Sequence, residues 1–436
     1  MRFRVLLLVA SCGLSVVSGQ WLETTIPLPD PPCGPIALCY NSVGNKVYSA
    51  NCFRNAVTIV DGATNSIVTT LQMPGEPWAL CYNPANNKVY CANLSANSVS
   101  VIDGATNSII TTVSAGYTPY DVCYNSASNR VYCANFDGNN VTVIDGVTNS
   151  VVATVPVGAA PCALCCNPTN NKIYCSDCGS DSVTVIDGAT NSVVATVKAD
   201  SNPGAMCYSP TNNRIYCGNR DGNTVSVITG STNHVTTIRD VGYQPLRLCH
   251  NPTNDKVYTA NCGGGNATVI DGARNRVITQ VSTGSNPSDV CYNSTNNKVY
   301  CANTGCNLVS VIDGVTDAVT MTIQVGSGPM ALTWNPIQNR TYVANYGGSS
   351  ISVIRASLGI AEPEQPTTCA QRPGTDLVRD VLMLPPAASA RENGSWALFG
   401  VSGRHVLDLH PGPNDVSRLA PGVYFVRSAV KVVIQR

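Results

Sequence analysis

Short segments in which polar and apolar residues alternate recur along most of the chain. In one stretch they cover residues 78–82, 88–92, 98–102 and 108–113. Alternation with a period of two residues predicts β-strands and argues against helices. Clusters of Asn, Asp, Gly and Pro separate the segments, and these residue types favour turns. The pattern therefore predicts units of four short antiparallel strands.

The four-strand unit repeats every 42 residues without insertion or deletion, and a tyrosine ladder and a proline ladder mark the period. The tyrosines are Tyr48, Tyr90, Tyr132, Tyr174, Tyr216, Tyr258, Tyr300 and Tyr342. The prolines are Pro35, Pro77, Pro119, Pro161, Pro203, Pro245, Pro287 and Pro329. Four strands in a repeat of about 40–45 residues are typical of a β-propeller blade. The sequence therefore predicts an all-β, eight-bladed propeller over residues 22–356, with seven blades as the alternative.

The two ends of the repeat array favour a closed ring over an open solenoid. The array opens with residues 22–28, which align with the fourth strand of a unit, and finishes with residues 351–355, which align with a third strand. The N-terminal strand is therefore expected to complete the last blade. Such an exchange removes the open sheet edges that invite aggregation.

Two recurring strings resemble the YVTN family of β-propeller repeats. They are NKVYCAN at Asn87–Asn93 and VTVIDG at Val141–Gly146. The resemblance covers about residues 22–356 and implies a scaffold used mostly for surface or binding roles in secreted and surface-layer-like proteins of bacteria and archaea. Many members of this family have seven blades, whereas the repeat count here predicts eight.

The N-terminal residues predict export. Arg2 and Arg4 precede a short apolar run, and small residues end at Gly19, so residues 1–19 are interpreted as a signal peptide. A lipoprotein signal cleaved before Cys12 is the alternative. No later segment reaches the roughly 20 apolar residues of a transmembrane helix.

The C-terminal part predicts a linker over residues 357–375 and a small β domain over residues 376–436. The string at Ser402–Arg436 resembles the C-terminal sorting domain of cargo for the type IX (Por) secretion system. The resemblance implies a small β-sandwich that the secretion machinery recognises. An ordinary adhesive β domain is the alternative. Together the two ends predict a protein that is secreted, or held on the outer cell surface, in a bacterium with an outer membrane.

Composition and motifs exclude several classes of function. Charged residues make up 12% of the chain and the formal net charge is zero, so no basic surface for nucleic acid is expected. The propeller holds only His234 and His250, and neither joins Cys at zinc-site spacing, so no metal is expected. The regular Asp-Gly series is interpreted as turn chemistry. No catalytic motif and no cofactor motif stands out.

The chain contains 21 cysteines, many at two fixed positions of the repeat that are ten residues apart. If the turn between the first two strands is centred midway, the two positions face each other, and export favours their oxidation. The alternative is that they are buried thiols that pack as small apolar residues. The predicted disulfides are Cys81–Cys91, Cys123–Cys133, Cys165–Cys175, Cys207–Cys217 and Cys291–Cys301.

Sequence variation among the repeats points to a ligand surface on one face. The loops from first to second and from third to fourth strand are nearly identical, whereas the other loops differ, and charges interrupt an alanine series on the inner strand. The predicted ligand-binding residues are Trp78, Tyr120, Asp121, Arg220, Arg247, Asp289 and Tyr346. The expected function is an exported binding or structural module for a glycan, a peptide or an envelope component. A propeller enzyme of lactonase, lyase or quinone-dependent dehydrogenase type is the alternative.

Overall fold

The computed structural model describes residues 19–356 and, further on, seven strands between residues 377 and 434. The predicted signal peptide, up to residue 18, and the linker at 357–375 lie outside the described residues. Residues 20–356 form eight four-stranded sheets, which confirms the eight-bladed propeller and not the seven-bladed alternative. A single turn of 3₁₀ helix, Cys52–Arg54, interrupts the strands of this region.

The strands of blades 1 to 4 follow the 42-residue period. Blade 1 contains β2 (Pro35–Asn41), β3 (Lys46–Asn51), β4 (Ala56–Asp61) and β5 (Ile67–Gln72). Blade 2 contains β6 (Pro77–Asn83), β7 (Lys88–Asn93), β8 (Ser98–Asp103) and β9 (Ser108–Ser114). Blade 3 contains β10 (Pro119–Asn125), β11 (Arg130–Asn135), β12 (Asn140–Asp145) and β13 (Val151–Pro156). Blade 4 contains β14 (Pro161–Asn167), β15 (Lys172–Asp177), β16 (Ser182–Asp187) and β17 (Val193–Lys198).

Blades 5 to 8 continue the pattern, and the last blade takes its fourth strand from the N-terminus. Blade 5 contains β18 (Pro203–Ser209), β19 (Arg214–Asn219), β20 (Thr224–Thr229) and β21 (Val235–Ile238). Blade 6 contains β22 (Pro245–Asn251), β23 (Lys256–Asn261), β24 (Asn266–Asp271) and β25 (Arg276–Ser282). Blade 7 contains β26 (Pro287–Asn293), β27 (Lys298–Asn303), β28 (Leu308–Asp313) and β29 (Val319–Gln324). Blade 8 contains β30 (Pro329–Asn335), β31 (Arg340–Asn345), β32 (Ser350–Ala356) and β1 (Gln20–Pro27).

Strand β1 closes the ring as the sequence predicts. It runs antiparallel to β32, with Gln20 opposite Ala356 and Pro27 opposite Ser350. The Arg340 side chain donates from Nε to Glu23 Oε2 at 2.6 Å and also binds the carbonyl of Gly62 in blade 1 at 2.7 Å. The joint between the last and first blades is therefore held by backbone pairing and by a buried arginine.

A ring of side-chain hydrogen bonds connects the ends of the inner strands. In seven blades the last asparagine of the inner strand donates from Nδ2 to an asparagine of the next blade, and in blade 5 Ser209 donates to Asp255. The bond from Asn335 to Asn45, at 2.9 Å, joins blade 8 to blade 1 and completes the ring. Because these amides are buried, each satisfied pair favours one blade spacing.

The repeated asparagines and aspartates stabilise the turns through their backbone conformation and their side-chain hydrogen bonds. Asn129 and Asn149 adopt positive φ angles of 48° and 56°, which asparagine tolerates better than most residues. Asp145 Oδ1 accepts hydrogen bonds from the backbone N–H groups of Val147 and Thr148 at 3.0 and 2.8 Å. These bonds lower the pKa of the Asp145 carboxyl. The Asp series thus serves the turns, as the sequence indicates.

The hydrophobic core is divided into clusters between neighbouring blades. In the cluster between blades 3 and 4, Tyr132, Val141 and Val143 pack against Leu164 and Ile186, and Tyr132 is 0% exposed. The ladder tyrosines are all fully buried in equivalent clusters. Each blade therefore buries its two faces against its neighbours. A single blade could not bury these faces alone, so it depends on the ring for its stability.

The predicted hairpin disulfides are wrong, because the strand register differs by one residue from the one they require. Cys81 lies opposite Tyr90, and Cys91 lies opposite Leu80. Neighbouring register positions point to opposite faces of a sheet. The same offset separates Cys123 from Cys133, Cys165 from Cys175, Cys207 from Cys217 and Cys291 from Cys301. All these thiols are free in this structure, and the two members of each pair pack in different inter-blade clusters as small apolar side chains.

The C-terminal residues form a separate compact unit, Pro363–Arg436, that is also built from strands. One sheet has the order β33 (Leu377–Val378), β39 (Val430–Ile434), β38 (Gly422–Val426), β35 (Trp396–Gly400) and β36 (His405–Leu409). The other pairs β34 (Val381–Leu384) with β37 (Gly412–Asp415). Within the part of the chain that the structure describes, no helix is long and apolar enough to cross a membrane.

Candidate binding site on the upper face

The upper face is the side of the ring that carries the loops between second and third strands and the connections between blades. Three aromatic side chains form an aromatic patch there, namely Trp78, Tyr120 and Phe136. The ring centroids of Trp78 and Tyr120 are 5.4 Å apart, as are those of Tyr120 and Phe136. All three residues are half-buried.

A β-bulge positions the first two residues of the patch. In blade 3, Pro119 pairs with Asn135 and Asp121 pairs with Ala134, so Tyr120 has no partner across the strand. Trp78 occupies the same unpaired position in blade 2. A bulge bends its strand and redirects the side chain of the extra residue. Both aromatic residues therefore stand at the upper end of an inner strand, where a ligand could reach them.

Asp121 and Asp289 occupy equivalent places in blades 3 and 7, which lie opposite each other in an eight-bladed ring. Asp121 Oδ2 accepts from the Leu164 backbone N–H at 2.8 Å, and Asp289 Oδ2 accepts from that of Leu332 at 2.7 Å. In both residues Oδ1 accepts from the next backbone N–H. The carboxylates thus bind unpaired N–H groups on the inner edges of neighbouring blades. Burial raises the pKa of each to about 6.

Arg247 brings a positive charge to the same region from blade 6. Its charge opposes the rise in the pKa of Tyr120, Asp121 and Asp289, so it acts electrostatically on residues of blades 3 and 7. Arg247 is exposed, and among the described residues it forms no salt bridge. The five donors of this guanidinium are therefore available to a ligand on the upper face.

The structure keeps two predicted site residues apart from this group. Arg220 is exposed on an upper loop of blade 5. Tyr346 packs against Phe53 across the joint of blades 8 and 1, with ring centroids 5.1 Å apart. Sequence reasoning missed Phe53 and Phe136 as partners. Phe136 lies in one of the variable upper loops, and that variability is the signal that would have found it.

The raised pKa values of Asp121 and Asp289 predict a pH dependence of stability. A carboxyl whose pKa rises on folding, here from 3.8 to about 6, lowers the free energy of unfolding as pH rises through that window. The double variant Asp121→Ala, Asp289→Ala places at both positions the alanine that five other blades have. Its free energy of unfolding, relative to that of the parent protein, should therefore rise by more than about 1 kcal/mol between pH 4 and pH 7. Urea unfolding across that range measures the difference.

Asp145→Ala is the control of opposite sign. The pKa of Asp145 is lowered on folding, so its removal should cost more stability at pH 7 than at pH 4. A difference between the double variant and the parent that does not change with pH would contradict the assigned pKa values.

The fold is an eight-bladed β-propeller. Its upper face is asymmetric, because the aromatic patch and the charged residues occur in only some of the blades. Residues 121–365, more than half of the chain, match the model of the YNCE-like β-propeller family. The chain therefore belongs to the YNCE-like β-propeller family. Among curated proteins no sequence matches.

Among solved structures the chain is similar to Kuenenia stuttgartiensis hydrazine synthase. The two are 20% identical, with a TM-score of 0.56, and the match covers 77% of this chain and 98% of the other. At this identity the likeness shows the fold alone.

Proposed function

We propose that the protein is an exported binding module whose upper face binds a glycan. The aromatic patch carries the proposal, because Trp78, Tyr120 and Phe136 present partly exposed rings that are already held against one another. Aromatic rings of this kind offer an apolar face and, in Trp and Tyr, a polar edge. A sugar ring has the same two properties, and Arg247 of blade 6 adds free hydrogen-bond donors on the same upper face.

Export belongs to the same proposal and rests on sequence. The signal-like residues up to Gly19 support it, as does the resemblance of Ser402–Arg436 to a type IX sorting domain. A peptide or another envelope component remains the alternative ligand. Intact-mass measurement on culture supernatant tests export, and secreted material that retains residues 423–436 would count against the sorting role.

Replacing Trp78 by Ala should weaken glycan binding at least tenfold, which corresponds to about 1.4 kcal/mol. The change removes one face of the patch and the ring contact with Tyr120. Arg247→Ala should have an effect of similar size if its donors bind the sugar. The probes are chitohexaose, cellohexaose and mannohexaose, titrated calorimetrically into the full chain.

Ile337→Ala provides the control on the lower face, the side opposite the upper face. Ile337 is 60% exposed on a lower-face loop, so its loss should leave binding unchanged. Equal losses from Trp78→Ala and Ile337→Ala would contradict the upper-face assignment. Failure of all three hexasaccharides to bind would remove the glycan proposal, and their turnover would favour the enzyme alternative.

A further inference from the structure

Blade 4 holds cysteines at three positions that most other blades fill with other residues. Cys162 occupies the bulge position that Trp78 and Tyr120 fill in blades 2 and 3. Cys166 replaces an aromatic or histidine residue of the other inner strands. Cys178 follows the second strand, where only blades 1 and 6 also have cysteine, as Cys52 and Cys262.

The strand geometry brings Cys162 and Cys178 together. Pro161 pairs with Asp177 and Ala163 with Ser176, which leaves Cys162 as the unpaired residue of the bulge. Cys178 is the first residue after β15, two positions from Ser176 and therefore on the same face of the sheet, and Cys162 Sγ lies 3.4 Å from Ser176 Oγ on that face. Both residues are half-buried. This is a close, accessible pair of thiols, unlike the hairpin pairs that the register separates.

Neighbouring groups make the two thiols unequal. Cys178 Sγ donates to the Ala160 carbonyl at 3.1 Å, and Cys162 Sγ lies 3.4 Å from Ser176 Oγ. The interaction between the two thiols lowers the pKa of Cys178 and raises that of Cys162. A thiol with a lowered pKa is more often the attacking thiolate in disulfide exchange.

We propose that Cys162 and Cys178 form a reversible dithiol–disulfide pair on the upper face of blade 4, with small disulfides as its oxidant. The Cys178 thiolate attacks one sulfur of the external disulfide, which forms a mixed disulfide and releases one thiolate. The Cys162 sulfur then attacks the Cys178 sulfur and releases the second thiolate. The two protons of the cysteines pass to the two released thiolates, so the net products are one protein disulfide and two small thiols.

The pair adjoins the aromatic patch. Both cysteine thiols influence the pKa of Tyr120, so they lie in the same part of the upper face. Oxidation would join the bulge of β14 to the loop after β15 at this place. The inference stands on the geometry of blade 4 and does not depend on the glycan proposal.

The test equilibrates the full chain in glutathione buffers of graded reduced-to-oxidised ratio. Free thiols are then blocked by alkylation, and the protein is digested without reduction for peptide mass spectrometry. We expect a peptide that links Cys162 to Cys178 to predominate in oxidising buffer and to disappear in reducing buffer. In the Cys162→Ser variant Cys178 should instead carry glutathione, because the resolving thiol is absent.

Cys262→Ser is the matched control. Cys262 holds the position of Cys178 in blade 6, but the bulge residue there is Leu246, so the Cys162–Cys178 link should be unaffected. Alkylation of both Cys162 and Cys178 in the most oxidising buffer would overturn the proposal. So would a link from Cys178 to any other cysteine in the parent protein, a result that does not depend on how the variants fold.

Discussion

Deleting residues 20–27 should unfold the whole propeller instead of weakening one blade. Strand β1 pairs with β32 along its length, so its loss leaves the third strand of blade 8 as an open edge. The same deletion removes Ile26 from the cluster that contains Tyr342 of blade 8 and Val47 of blade 1. It also removes Glu23, which leaves the buried Arg340 without its carboxylate partner.

Because every blade buries its faces against its neighbours, damage at the joint of blades 8 and 1 destabilises the ring from both sides of that joint. We expect the truncated chain to lose its cooperative thermal transition, followed by far-ultraviolet circular dichroism. A chain that lacks residues 363–436 is the control, since these residues form a separate unit. It should melt like the full chain. A residue 20–27 deletion that melts within a few degrees of the full chain would show that β1 does not close the ring.

The fold was predictable from the sequence because the period leaves little freedom. Ladders such as Tyr132 and Pro119 recur at an unbroken interval of 42 residues, so strand number, blade number and the exchange of β1 all follow from counting. Asn and Asp at fixed turn positions set the loops through positive φ angles and local hydrogen bonds. Local and long-range signals therefore agree at every repeat.

The cysteine pairing was not predictable from spacing alone. Ten residues separate Cys81 and Cys91, and the prediction assumed a turn centred midway between them. The strands in fact close through Asn83 opposite Lys88, which shifts the register by one residue and places Tyr90 opposite Cys81. A one-residue shift moves a side chain to the other face of the sheet. Whether the two thiols lie on the same face of the sheet or on opposite faces depends on the exact length and position of the turn, which the sequence specifies poorly.

The binding face was partly predictable. Trp78 and Tyr120 interrupt a repeated position, so comparison of the repeats finds them, and the structure brings them together. Phe136 belongs to a loop whose sequence differs between blades, and its contact with Tyr120 depends on the backbone hydrogen bond from Phe136 to the Thr118 carbonyl at 2.8 Å. Similarly, comparison of the repeats identifies Asp121 and Asp289 as charges, but only the three-dimensional structure shows that they bind backbone N–H groups.

Tyr132→Ala should destabilise the propeller by about 3–5 kcal/mol, the range found for loss of a buried large aromatic side chain. Tyr132 is 0% exposed between blades 3 and 4, and neighbouring side chains in a closed ring have little freedom to fill the space that it leaves. Its hydroxyl also donates to Asn191 Oδ1 at 2.9 Å, so Tyr132→Phe should cost only about 1 kcal/mol.

Equilibrium unfolding in urea separates these two contributions, because the Phe variant keeps the ring and loses only the hydrogen bond. Tyr117→Ala is the control, since Tyr117 is 69% exposed on the upper face and its loss should change stability by less than about 0.5 kcal/mol. If Tyr132→Ala cost no more than Tyr132→Phe, inter-blade packing would contribute little at this ladder position. The polar bonds between blades 3 and 4, such as that from Tyr132 to Asn191, would then be the larger contribution at this joint.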